Sequence, residues 1–321
     1  MSKKELHRTS IGGQAVIEGV MMRGPDVIAT AVRKPNGEVV TDLRDVPKSR
    51  KSRFFKLPIV RGCIGFFDSM VIGIKALMFS AEFVEIEDDK PGEEAEALEG
   101  SKKKDKTKDA VLYLAVVLSL TISVGLFMLL PNVLIGLVKQ GLQQLAGAEW
   151  FTENRILLNL FEGLVRIILF LLYLSLTSLM KDMKRVFMYH GAEHKSIHCY
   201  ESGEELTVEN VTRHTRLHPR CGTSFLLIVM VVSIVVFSFI SWSDPFTRLA
   251  LRLLLLPVVA GVSYEIIKFA GRHDNPFTRV ISAPGMWLQK ITTNEPTPDQ
   301  IEVAITALAA AIPENKDDDK W

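Results

Sequence analysis

Four apolar blocks, at 110–138, 156–180, 222–241 and 248–270, constrain this chain more than any other feature. A helix rises about 1.5 Å per residue, so each block is long enough to cross a hydrocarbon layer about 30 Å thick. A buried helix of a water-soluble protein is usually shorter or carries a polar face. The chain is 48% hydrophobic, with its apolar residues concentrated in these blocks. They predict a mainly α fold, a four-helix transmembrane bundle, in place of the two soluble domains that 321 residues would otherwise allow. The first block starts at Ala110, behind a charged segment, and does not have the form of a cleaved leader.

Basic residues near the block ends set the expected orientation. Lys102, Lys103, Lys104, Lys106 and Lys108 precede the first block. Lys181, Lys184, Arg185, Lys195, Arg213, Arg216 and Arg220 fill the loop 181–221. The links 139–155 and 242–247 contain only Lys139 and Arg155. The positive-inside rule then puts both termini and the 181–221 loop in the cytosol of a multi-pass protein. Three scattered cysteines make no disulfide framework, and in a reducing compartment Cys199 and Cys221 are better suited to metal than to a bridge.

Ahead of the blocks, residues 1–61 read as a small cytosolic β element. Residues 26–46 alternate apolar and polar residues on both sides of Pro35-Asn36-Gly37, a hairpin signal. Residues 11–25 read as a strand carrying Glu18 and Arg23, either as an exposed edge or as groups reaching a cytosolic site. The basic run 47–61 is expected to touch anionic lipid, and no nucleic-acid partner is expected. Residues 62–84 are apolar but carry Asp68, Lys75 and Glu82 at seven-residue spacing, which predicts an interfacial or bundle-packed amphipathic helix. Residues 85–109 read as a charged, solvated linker.

Polar residues inside the blocks draw notice because charges at that depth are costly unless paired. Glu162 and Arg166 are four apart and share a helix face, as a structural pair or a functional one. Pro131 predicts a kink or stop in the first block, and Pro257 with Gly261 a kink in the last. Glu265 falls near the inner end of the last block, at the depth of the 181–221 loop, as an extra ligand or base. In the C-terminal segment 271–321, Thr297-Pro298-Asp299-Gln300 opens a helix expected over 299–311, a docking element.

The chemistry gathers in the 181–221 loop, which holds five of the seven histidines. His190-Gly-Ala-Glu193-His194 places two imidazoles on one helical face with a carboxylate beside them. That H-x-x-E-H arrangement has the form of an inverted zinc-protease motif: two ligands and a general base. His198 extends the row as part of a second site or as a supporting hydrogen-bond donor, and Cys199 on the opposite side reads as a packing residue. His214 and His218 repeat the four-residue spacing on a short helix capped by Thr207, and Cys221 follows. The expected ligands of a divalent ion, best zinc, are therefore His190, His194, His214, His218 and Cys221. A hydrogen-bonded histidine network or proton relay is the competing reading.

The stretches GGQAVIEGVMMRGP, EGLVRIILFLLY, YHGAEHKSIHCYE, HPRCGTSF and PGMWLQKITTNEPTPDQIEVAI resemble the bacterial YqhQ-like family of membrane proteins. The resemblance implies a protein of the bacterial cytoplasmic membrane and a predicted metal-dependent enzyme. The residues themselves support a metal-dependent hydrolase acting on a lipid ester or a peptide bond near the bilayer, with Glu193 as base. The alternative is a scaffold or assembly factor for another membrane protein, stapled by a structural ion. A transporter built on Glu162, Arg166 and Glu265 ranks last, since four spans without a repeat would need an oligomer.

Overall fold

The computed structural model describes residues 7–46, 57–83, 106–144, 154–239, 245–273 and 275–320. The expected linker 85–109 and the basic run 47–61 are described only at their C-terminal ends, 106–109 as the start of a helix and 57–61, and Asp274 lies outside the described residues. The alternating N-terminal segment forms an antiparallel meander in the order β1 (Gly12–Val16), β2 (Gly19–Arg23), β3 (Val27–Arg33) and β4 (Val39–Asp45). The predicted hairpin is β3–β4, with Gly37 at φ 88° in its turn. A side chain would strain that left-handed backbone, which explains the glycine.

Strand alternation gives this sheet two buried faces. Val20, Met22, Ala29 and Ala31 face α5 (Lys181–Ser202) and α10 (Pro298–Ala311). Val16, Met21, Ile28 and Val32 face the end of α1 (Val60–Ala81) through Ile72, Ala76, Phe79 and Phe83. Burying a side chain of this size contributes roughly 1.5–3 kcal/mol. The helix α10 opens on a capping box, in which Thr297 N–H donates to Gln300 Oε1 at 3.0 Å. It was expected as a docking element, and its apolar face (Ile301, Val303, Ala304, Ala307, Leu308) is spent inside this chain.

The remaining helices are α2 (Lys106–Val124), α3 (Leu130–Gln143), α4 (Arg155–Thr177), α6 (Val208–Thr212), α7 (Gly222–Ser238), α8 (Pro245–Arg272) and α9 (Pro276–Thr292). Among the described residues, four segments are long and apolar enough to cross a membrane: Val60–Ala81, Val117–Gly141, Ile156–Thr177 and Ala250–Arg272. Large apolar side chains stand exposed along them, such as Leu118, Leu172, Leu176 and Leu254. Water would not tolerate such a band, whereas lipid matches it, and the chain is a membrane protein.

The set differs from expectation in one member. The segment 222–241 contains a 17-residue helix, α7, shorter than the other four. The segment 62–84, expected at the interface, contains α1, which qualifies by length and composition. Its packing shows how it uses that length. The first half lies along α8, where Gly62 meets Tyr264 and Ile59 meets Gly261, and the second half covers the sheet.

Between α2 and α3 the helix widens over Gly125–Leu129 into π geometry and then continues through Pro131. Proline offers no N–H and crowds the carbonyl four residues back, and the wider turn absorbs both effects. The helix α8 likewise runs through Pro257. Within the bundle, Glu162 on α4 pairs with Arg166 one turn on, as the spacing predicts, and also with Arg252 on α8. Arg252 grips it with both ends, at 2.6 and 3.0 Å, and stacks over Phe237 of α7. One carboxylate thus ties α4 to α8.

Candidate metal centre

The helix α5 is buried over most of Tyr189–Glu201, although this stretch is rich in charge and imidazole. Burial on that scale requires partners for each polar group. Two glycines let the partners approach. A Cβ on Gly191 would lie 2.0 Å from the Asn294 carbonyl, so only glycine lets the chain after α9 rest on α5. A Cβ on Gly13 would lie 2.9 Å from the Glu193 side chain and 2.7 Å from Met21 O, so β1 presses directly onto Glu193.

The last residue of α9 supplies the first orienting contact. His190 Nδ1 donates to the Thr292 carbonyl at 2.8 Å, and His194 Nδ1 donates to the Arg216 carbonyl at 2.6 Å. A carbonyl can only accept, so each Nδ1 carries the hydrogen. Each neutral ring is left with its lone pair on Nε2, the arrangement that holds metal-binding histidines in place. His190 Nε2 lies 3.2 Å from Cys221 Sγ, and the rings of His190 and His194 are 4.4 Å apart.

Cys221 caps the N-terminus of α7, accepting from Thr223 N–H at 3.4 Å. Burial opposes its ionisation, but His190 and His194 hold the thiol well below its usual range. Burial would likewise lower His190, yet the facing sulfur and the Glu193 carboxylate raise it to about 9. Without a metal these shifts favour transfer of the thiol proton to His190 Nε2, a proton that a bound cation would displace. Glu193 is 4% exposed, and burial raises its carboxyl. Its Oε2 lies 3.9 Å from His190 Nε2.

The donor atoms of His190, His194 and Cys221 lie within 4.8 Å of one another. Tetrahedral zinc with these ligands needs donors about 3.3–3.6 Å apart, close to the distance already present between His190 and Cys221. His194 Nε2 and Glu193 Oε2 are buried and have no hydrogen-bond partner among the described residues. Two orphaned acceptors beside a thiolate are expensive as they stand, and one cation satisfies all of them. The residues fit a metal ion.

Two further groupings do not fit so well. His198, Glu201 and His218 cluster beside the first group, with the His194 and His218 rings 5.6 Å apart. This group already holds a cation, because Arg220 pairs with Glu201 and reaches within 3.4 Å of His218 Nε2. Burial lowers His218 to about 4 and also lowers His198, so both are neutral. Gln289 clamps the His218 backbone, accepting its N–H and donating to its carbonyl, both at 2.7 Å. In the third group, burial pushes the Cys199 thiol up to about 11, where it donates to the Glu205 carbonyl.

His214 therefore does not join His190 and His194 as expected. Helix α6 ends at Thr212, so His214 and His218 do not share a helical face, although Thr207 does cap that helix. His214 instead faces Glu204 at 3.5 Å, beside Cys199. His218 meets the first group only through a tilted ring contact with His194 and belongs with His198. Glu265 is engaged by Arg61 through two contacts, at 2.7 and 2.5 Å, and lies outside the histidine groups. Glu18, at φ 52° in the β1–β2 turn, is held by Arg185 and by the Tyr189 hydroxyl at 3.2 Å. Arg23 follows Met22 on β2, so alternation turns it to the α1 face, away from Glu193. Arg166 is taken by Glu162. Sequence reasoning missed Glu201, Gln289 and the two orienting carbonyls. Glu201 could have been found, three positions after His198 on the same helix, but a carbonyl leaves no mark in a sequence.

The chain is 37% identical over 300 residues to the uncharacterised protein YqhQ of Bacillus subtilis (strain 168), covering 92% of this chain and 89% of that protein. No solved structure matches it. Residues 57–314 match a family described as a protein of unknown function, DUF1385. This chain thus belongs to the YqhQ-like DUF1385 family of membrane proteins.

Proposed function

We propose that the protein is a metal-dependent hydrolase of the bacterial cytoplasmic membrane, with its site at the cytoplasmic face. The observation that carries this reading is the pair of buried, unpartnered acceptors, His194 Nε2 and Glu193 Oε2, beside the Cys221 sulfur. His190, His194 and Cys221 supply three ligands, and a two-nitrogen, one-sulfur set suits zinc. A catalytic zinc site keeps three protein ligands and one position for water or substrate. Bound metal would polarise the substrate carbonyl or phosphoryl oxygen. Glu193 takes the proton of the attacking water, its carboxylate favoured by the nearby positive charge. The basic residues of 181–221 support a cytosolic orientation of this loop and of both termini. The substrate class is an ester or amide presented at the bilayer, from a lipid or from another membrane protein.

A second reading is favoured by one observation, the 4% exposure of Glu193. Glu193 would then be the fourth ligand of a closed structural site, and the protein a membrane scaffold, alone or as an oligomer. Elemental mass spectrometry of detergent-purified wild type, His194→Ala and Glu193→Gln separates the two. The hydrolase reading expects one ion per chain, lost in His194→Ala and kept in Glu193→Gln, with turnover of ester and peptide substrates abolished in the latter. Metal loss in both variants supports the closed site, and a wild type that takes up no metal overturns both readings.

A further inference from the structure

A second cavity, of about 520 Å³, opens beside the histidine cluster between α5, the end of α8 and α9. Arg8, Arg220, Arg279, His198 and His273 line it together with one carboxylate, Glu201. That carboxylate is already shared. It pairs with Arg220, faces His218 at 3.7 Å and accepts the Thr9 N–H at 2.8 Å. The wall is therefore positive overall among its described residues. Arg8 is fixed at the rim by donating to the Gly271 carbonyl at 3.0 Å.

The helix α9 gives the cavity its depth. Arg279, Ser282 and Met286 line the cavity from one side of α9. Trp287, 67% exposed, lines the same cavity, while Phe277 and Val280, exposed at 65% and 71%, stand on another side. Phe277 and Val280 border an apolar crevice of about 820 Å³ between α7, α8 and α9, on the far side of α9. Exposed tryptophan beside aliphatic residues marks the level of lipid headgroups. The cavity thus presents arginines at the depth where a phospholipid carries its phosphate, and arginine matches phosphate geometry with paired donors.

From this arrangement we infer that the cavity binds the phosphate of an anionic phospholipid headgroup. The inference gives the neighbouring centre a lipid ligand and does not depend on that centre holding metal. A juxtamembrane basic residue typically contributes about fivefold to such binding.

The test is native mass spectrometry of the full chain in mild detergent with phosphatidylglycerol, phosphatidylcholine or inorganic phosphate. Wild type is expected to retain phosphatidylglycerol over phosphatidylcholine. Arg8→Gln and Arg279→Gln, both at exposed positions, should each weaken retention about fivefold. Lys290→Gln, exposed on α9 but outside the cavity, should leave it unchanged. Equal retention of both lipids, or no response to the double arginine variant, overturns the inference. Displacement of the lipid by millimolar inorganic phosphate assigns the cavity to a soluble phosphate ligand and overturns the lipid assignment. His194→Ala assayed alongside separates the two proposals: unchanged lipid retention in a chain that holds no metal leaves this inference standing without the metal.

Discussion

His190 and Cys221 are 31 positions apart, and the structure brings Nε2 of one to 3.2 Å from the sulfur of the other. The contact joins the middle of α5 to the first residue before α7, so the 181–221 loop closes on itself at the candidate metal centre. His194 completes the three-donor set from one turn further along α5.

The set of histidines that matters follows from this contact. Metal content should fall to background in His194→Ala and in Cys221→Ser. It should stay at the wild-type level in His214→Ala, whose imidazole faces the half-exposed Glu204 carboxylate. His214 is part-buried, so the change should cost about 1 kcal/mol of stability without touching the metal. Equal metal loss in all three variants would show that the ion sits elsewhere in the cluster.

Adjacent glycines should respond in opposite ways. A Cβ at Gly12 meets nothing within 4 Å, whereas one at Gly13 meets Met21 O at 2.7 Å and the Glu193 side chain at 2.9 Å. Gly12→Ala should leave the melting temperature within error. Gly13→Ala should lower stability by about 1–3 kcal/mol, the usual cost of forced overpacking, because the Met21 backbone cannot give way as a side-chain tip can. A thermal shift assay on the two variants decides the matter, and equal melting temperatures would contradict the close packing of β1 on α5.

Buried His218 makes stability depend on pH. Burial holds its folded-state value at about 4, below the ordinary 6.5. Between those values the unfolded chain binds the additional proton, so stability is fully present above about 6.5 and declines as pH falls towards 4. The slope for one group approaches about 1.4 kcal/mol per pH unit. Melting curves of metal-free protein from pH 7 to pH 4 should show this decline, and His218→Gln should flatten it. Burial shifts His198 in the same direction, so some slope should persist in the single variant.

Inside the bundle, Glu162 balances Arg166 and Arg252. Glu162→Gln leaves the buried Arg252 and the part-buried Arg166 without their carboxylate, and breaking a buried pair typically costs about 3–5 kcal/mol. Yield and melting temperature in detergent should drop sharply. Combining Glu162→Gln with Arg252→Leu should recover part of the loss, since one of the stranded charges is then removed. A double variant no better than the single one would place the main strain at Arg166.

Hydropathy and short-range spacing are properties of neighbouring residues, and they already determined much of this protein. Three of the four membrane blocks, the β3–β4 hairpin around Gly37, the Thr207 and Thr297 helix starts and the Glu162–Arg166 pair were all legible in the chain. So was the concentration of histidine and cysteine side chains between His190 and Cys221. Only the tertiary structure decided which of those side chains meet. His214 and His218 have the spacing of a helical pair, but the helix beneath them stops at Thr212. Glu265 sits near the bundle end, but Arg61, 204 positions away, claims it. The direction of the His190 and His194 lone pairs is set by the carbonyls of Thr292 and Arg216, through atoms that every residue possesses. Backbone carbonyls carry no sequence signature, and long-range pairing depends on where distant elements pack, so these choices were made by the fold.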